Sequence, residues 1–171
     1  MKLNELGLDG FLVSSPSNIS YLTRYISRDS YFLVSPKENI YITDSRYTEE
    51  AKLALKGKAK VQKTNGSVFK TIAESCLTLG LKSIGFEERH LIFAEHAKIR
   101  DFLKKKGQLV GTHSIIESLR QIKEPQELEK IRKALKIAGI ALRFTEGFIK
   151  PGQREVEVAG EIERFIRYQG A

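Results

Sequence analysis

Gly10-Phe11-Leu12-Val13-Ser14-Ser15-Pro16-Ser17-Asn18-Ile19-Ser20-Tyr21-Leu22-Thr23 changes character in its middle. Gly10 to Ser14 is a short apolar run of strand length, which reads as a buried β-strand. Pro16-Ser17-Asn18 then opens a short helix through Tyr21-Leu22-Thr23, with Ser17 as its expected N-cap. A strand handing over to a helix is the building unit of an α/β domain. The same alternation continues outward. Tyr31-Phe32-Leu33-Val34 and Asn39-Ile40-Tyr41-Ile42 read as a hairpin turned at Pro36-Lys37-Glu38. Tyr47 to Leu55 reads as a helix, Lys60 to Lys63 as a strand, and Val68 to Leu79 as a second helix. Ser83 to Phe86 is a further strand, Leu91 to Lys105 a helix, and Gln108 to Val110 a last short strand. The short loops suit a compact domain.

Beyond this first part the pattern becomes helical only. Gly111-Thr112-His113-Ser114 begins a linker that ends at Lys123-Glu124-Pro125, where Pro125 fits the first helical position. The expected boundary divides residues 1–118 from residues 119–171. Leu128, Ile131, Leu135, Ala138, Leu142 and Thr145 recur at steps of three and four, one apolar stripe along a long helix. Pro151-Gly152 breaks it, and a second helix follows with Val158, Ala159, Ile162, Phe165 and Ile166 on one face. The heptad-like spacing suits pairing with another helix, so a homodimer is expected.

Composition narrows the function classes. Of the 171 residues, 41% are hydrophobic and 29% charged, enough for a core in a soluble protein. No stretch approaches a membrane span or a signal peptide, and the single cysteine, Cys76, suits a reducing cytoplasm. The net charge of +8 is spread along the chain, and the densest run, Lys104-Lys105-Lys106, falls where a helix C-terminus favours cations. Nucleic-acid and membrane partners are therefore not expected.

Two stretches of the first part and one of the second carry a family resemblance. Asn18-Ile19-Ser20-Tyr21-Leu22-Thr23, Thr43-Asp44-Ser45-Arg46-Tyr47, and the opening from Ile122 through Pro125 resemble the Xaa-Pro aminopeptidases, prolidases and creatinase of the pita-bread metallopeptidase family. The resemblance covers nearly the whole chain, with the first helix of the family domain shortened to a turn before Leu6. It implies a ribonuclease-H-like mixed sheet flanked by helices, the creatinase N-terminal domain, followed by two helices that open a pita-bread domain. It also implies a parent enzyme that hydrolyses the bond before proline with two manganese, cobalt or zinc ions. In that family the metal ligands lie after the opening segment, so a chain ending at Ala171 is expected to stop before its reaction centre and to be inactive alone. The domain itself carries no chemistry there, but helps build the dimer and sends a loop towards the partner's active site. That loop corresponds to Arg24–Tyr31, where Arg28 and Asp29 are the candidates to meet a terminal carboxylate or amine.

The remaining candidates read as structural. Asn18, Tyr21, Asp44, Arg46 and Tyr47 belong to the family motifs. Asp44 or Ser45 suits a helix cap and Arg46 a nearby carboxylate, in preference to a substrate lip. His90, His96 and His113 lack metal-ligand spacing. Cys76, in line with Ile72 and Leu79, reads as a core residue rather than a nucleophile. Glu87-Glu88 has no visible base-orienting neighbour. No catalytic residue and no metal site are therefore expected in this chain. The rival class is a non-enzymatic peptide- or protein-binding module of the same fold, and the downstream ligand set would discriminate the two.

Overall fold

Strand β1 (Gly10–Val13) lies inside a six-stranded mixed sheet of order β4-β3-β2-β1-β5-β6. The computed structural model that shows this describes residues 3–170. A 3₁₀ turn at Leu3–Leu6 leads into β1, and helix α1 (Pro16–Thr23) follows it. The hairpin is β2 (Ser30–Val34) and β3 (Ile40–Thr43), antiparallel, with Tyr31 opposite Ile42. Then come α2 (Thr48–Ala54), β4 (Lys60–Lys63), α3 (Val68–Leu79), β5 (Ser83–Glu87), α4 (Phe93–Leu103) and β6 (Gln108–Thr112). β1 runs parallel to β5, β5 to β6, and β3 to β4.

The period of two along the strands divides two cores. Leu12, Leu33, Ile40, Ile42, Ile84 and Phe86 face one side and pack with Ile72 and Cys76 of α3 and Ile99 and Leu103 of α4. Phe11, Val13, Phe32 and Tyr41 face the other side and pack with Ile19 of α1 and with Ala51 and Leu55 at α2. Gly85 is required by this packing. A Cβ there would lie 2.7 Å from both Leu8 and Phe11.

Several local expectations are corrected. α1 is capped at Ser15, with Pro16 inside the first turn, so Ser17 is helical rather than the N-cap. The stretch read as linker holds strand residues Gly111 and Thr112 and a further helix, α5 (Ile115–Gln121), whose Ile116 is fully buried in the second core. Seven residues with one buried side chain give too short a window for periodicity to announce.

The described residues divide into two units between Gln121 and Ile122. The second unit holds α6 (Pro125–Phe148), with Glu124 and Glu127 forming a capping box, and α7 (Glu155–Tyr168). The two helices meet through Phe144, which stacks on Phe165 at 4.3 Å between ring centres and on Phe148 at 5.7 Å. Leu135 and Leu142, in the stripe expected to pair with a second copy, are 66% and 63% exposed within this chain. Aromatic stacking rotates the packed face of α6 towards Ala141 and Phe144. No helix among the described residues is long and apolar enough to cross a membrane.

Candidate functional site

Two polar clusters stand out, one buried and one on the rim. The buried cluster sits where β1 and β5 end side by side. α1 leaves β1 towards one face of the sheet, and α4 follows β5 on the other. Such a crevice is where open α/β sheets admit ligands. Here the last residue of β5, Glu87, fills it. Its Oε2 accepts the backbone N–H of Ser14 at 2.6 Å and of Ser15 at 2.8 Å, at the N-terminus of α1. Its Oε1 accepts Nδ2 of Asn18 at 2.5 Å. Asn18 is fully buried and turns the same nitrogen to Glu117 Oε1 at 2.6 Å, while its Oδ1 accepts Nη1 of Arg120 at 2.7 Å. His90 Nε2 lies 3.5 Å from Glu117 Oε1. One amide thus joins α1, β5 and α5.

Burial pushes the Glu117 carboxyl up, but hydrogen bonds from Asn18 and its own backbone, with His90 beside it, together hold it below the usual range. Glu87 acts as an internal ligand for the N–H groups that open α1, which the helix dipole reinforces. Sequence reasoning noted Asn18 as a motif residue and set Glu87 aside with Glu88, since the neighbour that orients it, Asn18, lies 69 residues away. The signal available was an acid closing an apolar strand at its carboxyl end.

The rim cluster brings together candidates that sequence reasoning had treated separately. Arg46 donates through Nε to Asp44 Oδ2 at 3.0 Å and through Nη2 to Asp44 Oδ2 at 2.6 Å and Asp29 Oδ2 at 2.7 Å. Its guanidinium also lies 5.0 Å from the centre of the Tyr47 ring. The hydrogen bond from Arg46 holds the Asp44 carboxyl below the usual carboxylate range, and Asp44 in turn raises the guanidinium. Asp44 and Ser45 do not cap α2. The N-cap position is Tyr47, without a side-chain bond, and Thr48 Oγ1 donates to the Asp44 carbonyl at 2.6 Å. The carboxylate expected at the cap is taken by Arg46, including its backbone N–H at 2.8 Å.

Asp29 holds a left-handed backbone at φ 41°, and its carbonyl accepts Thr43 Oγ1 at 3.3 Å. Arg28 is exposed on the same loop, beside Ile26, which is 71% exposed. Tyr21, at the C-terminal half of α1, carries the Arg24 guanidinium 5.1 Å from its ring centre.

The other titratable candidates are placed elsewhere. His113 Nδ1 is 2.9 Å from Glu88 Oε1, and His96 packs its ring on Phe86 at 5.1 Å between centres. Cys76 is fully buried, and that burial pushes its thiol up to about 12. Among the described residues, no group of three or more His, Cys, Asp or Glu side chains is gathered to hold a metal ion.

Residues 1–122 match the family model of the creatinase/prolidase N-terminal domain. The chain belongs to that family. It is 35% identical over 167 residues to an uncharacterized peptidase of Bacillus subtilis, covering 98% of this chain and 47% of that protein. Among solved structures, the Xaa-Pro dipeptidase of Bacillus anthracis superposes with a TM-score of 0.89 at 30% identity, covering 99% of this chain and 47% of that one. The X-Pro aminopeptidase of Thermotoga maritima gives 0.85 at 26% identity, covering 100% and 50%. The chain therefore spans about half the length of the relatives it matches.

Proposed function

We propose that this chain is the non-catalytic N-terminal part of an Xaa-Pro metallopeptidase, an aminopeptidase P or prolidase, and acts in the cytoplasm. The observation that carries the reading is the family match over residues 1–122 together with near-complete coverage of this chain by Xaa-Pro peptidases. In this reading residues 1–118 form the domain and residues 119–171 contribute the first helices of a pita-bread catalytic domain. The whole protein hydrolyses the bond before proline as a homodimer, and this domain serves dimerisation and shapes the partner's substrate pocket.

Two divalent ions, manganese, cobalt or zinc, would supply an activated water in the whole enzyme. The donor set of the described residues does not fit them. No chemical step is therefore assigned to this chain. Its contribution is a charged rim. Arg28 offers an exposed guanidinium, and Asp29 offers a carboxylate that Arg46 holds at 2.7 Å in a fixed place. Such groups suit the terminal carboxylate or amine of a short peptide.

The 171-residue chain is expected to hydrolyse no Xaa-Pro peptide with or without added manganese, cobalt or zinc, whereas the complete protein should. Arg28→Ala and Asp29→Ala in the complete protein should raise KM more than they lower kcat, while leaving the thermal midpoint of the 171-residue chain nearly unchanged. Turnover by the short chain would overturn the assignment. A complete protein that binds proline peptides without metal-dependent turnover would replace it with the peptide-binding module.

A further inference from the structure

The face of the sheet that carries the second core is covered unevenly. β2 and β3 pair Ser30 with Thr43 at one end and Leu33 with Ile40 at the other. The Arg46 rim stands at the first end, because Asp29 and Asp44 adjoin Ser30 and Thr43 in the chain. At the other end the covering helices run out early. α1 stops at Thr23 after eight residues, and α2 stops at Ala54 after seven. Gly57, at φ 75°, then turns the chain back towards β4. The space that remains is a pocket of about 420 Å³ walled by Leu22, Phe32, Val34, Leu55 and Ile116. Phe32, Leu55 and Ile116 are buried, whereas Leu22 and Val34 are half-buried, so apolar surface faces the pocket. Its volume falls in the range of ligand sites, roughly 300–1,000 Å³.

A polar pocket of about 370 Å³ adjoins it, and Asn39, Lys58 and Ala59 line both. The polar pocket is also lined by Lys37, Glu38 and Lys60. Two of these three lysines are engaged. Lys37 Nζ donates to the Leu79 carbonyl at 2.9 Å, and Lys60 Nζ lies 3.6 Å from Glu38 Oε2. The third, Lys58, is exposed and has no carboxylate partner among the described residues. Its aliphatic stem can border the apolar pocket while its ammonium stays in water. Asn39 accepts the Ser35 backbone N–H through Oδ1 at 3.4 Å, so its Nδ2 remains a donor. A neutral ligand would leave Lys58 unused, a cation would meet the lysines, and Glu38 stands against a second negative charge.

We propose that this pocket binds a small monocarboxylic acid with an apolar tail, the tail among Leu22, Phe32, Leu55 and Ile116 and the carboxylate at Lys58 and Asn39. All of its walls belong to the first unit. The inference goes beyond the proposed function: the pocket lies at the far end of β2 and β3 from the Arg46 rim, and it does not depend on peptidase activity.

Isothermal titration of the full 171-residue chain with octanoate, without metal or proline peptide, tests it. Saturable binding of a single octanoate per chain is expected, about tenfold or more tighter than octylammonium and weakening as salt rises. Lys58→Met keeps an apolar stem and removes the charge, and should weaken octanoate by about tenfold while leaving octanol unchanged. Ala59→Phe, on the wall that the two pockets share, should fill the mouth and exclude both, and its circular dichroism spectrum shows whether it remains folded. Acetyl-leucyl-leucine and its amide separate two sources of the same chemistry. Tighter binding than octanoate assigns the pocket to the carboxyl end of a peptide, weaker binding to a free acid, and in both cases the amide should bind less than the acid. Absence of saturable binding by either carboxylate overturns the proposal. So does octanoate binding that is indifferent to Lys58→Met, or to a folded Ala59→Phe.

Discussion

Replacing Asn18 by alanine removes three hydrogen bonds at once. They run to Glu87 at 2.5 Å, to Glu117 at 2.6 Å and from Arg120 at 2.7 Å. Each joins an amide to a charged group, a class worth about 1.5–3 kcal/mol. The three share one side chain and do not add, and Glu117 is partly open to water, which discounts its bond. The dominant loss is at Glu87, which is 5% exposed and would keep a charged oxygen without its side-chain donor. Leaving a buried acceptor without its donor costs about 1–3 kcal/mol and more where the group is charged, so about 2–4 kcal/mol is expected for Asn18→Ala. It is a large share of the 5–15 kcal/mol, roughly, that holds an ordinary domain folded. Urea unfolding followed by far-ultraviolet circular dichroism measures it. Hydrogen exchange of β1 and β5 amides isolates the first unit from the helical one. Asn18→Asp separates lost packing from lost charge pairing. It preserves the shape but sets a third carboxylate against Glu87 and Glu117, so its destabilisation should shrink on mild acidification. A loss below about 1 kcal/mol for Asn18→Ala, or no pH dependence for Asn18→Asp, refutes the reasoning.

Glu117 predicts an acid response of α5. Its folded carboxyl is held below its ordinary value of 4.5, so its contribution is present above that pH and is lost as pH falls through the lower folded value. Amide exchange in α5 should quicken over that interval, and Glu117→Gln should flatten the response. Cys76 predicts the opposite kind of silence. With its thiol pushed up to about 12 by burial, it should resist alkylation at neutral pH in the folded chain and react at once in denaturant. Ready native-state labelling would contradict the fully buried placement.

Legibility in the sequence tracked the range of the interactions. β4 and α3 stand at the residues that local pattern indicates, Lys60–Lys63 and Val68–Leu79, because Gly57, Gly66 and Gly80 punctuate them with positive φ. The strand order and the Asn18–Glu87 bond were not legible, since partners 69 residues apart meet only once the sheet is assembled. Ser17 and Asp44 show a different limit. Both residue types favour caps, but Pro16 shifts the start of α1, and Arg46 claims the Asp44 carboxylate. On α6, periodicity found an apolar stripe and could not weigh it against the stacking of Phe144 on Phe165.

The two motif clusters answer to different physics. Asn18 is fully buried and its groups are engaged with charged partners, so the fold itself explains why an amide stands there. Arg46 and Asp29 are open to water, at 62% and 63% side-chain exposure. Ion pairs in such a setting contribute little to stability and are screened by salt. What they do contribute is geometry. Arg46 ties the loop at Asp29 to the segment at Asp44 and holds two carboxylates in place beside Arg28. Fixed charges on a rim, adjoining an exposed Ile26, are poorly explained as a device for folding. Under the proposed function they form a surface against which another charged group is positioned.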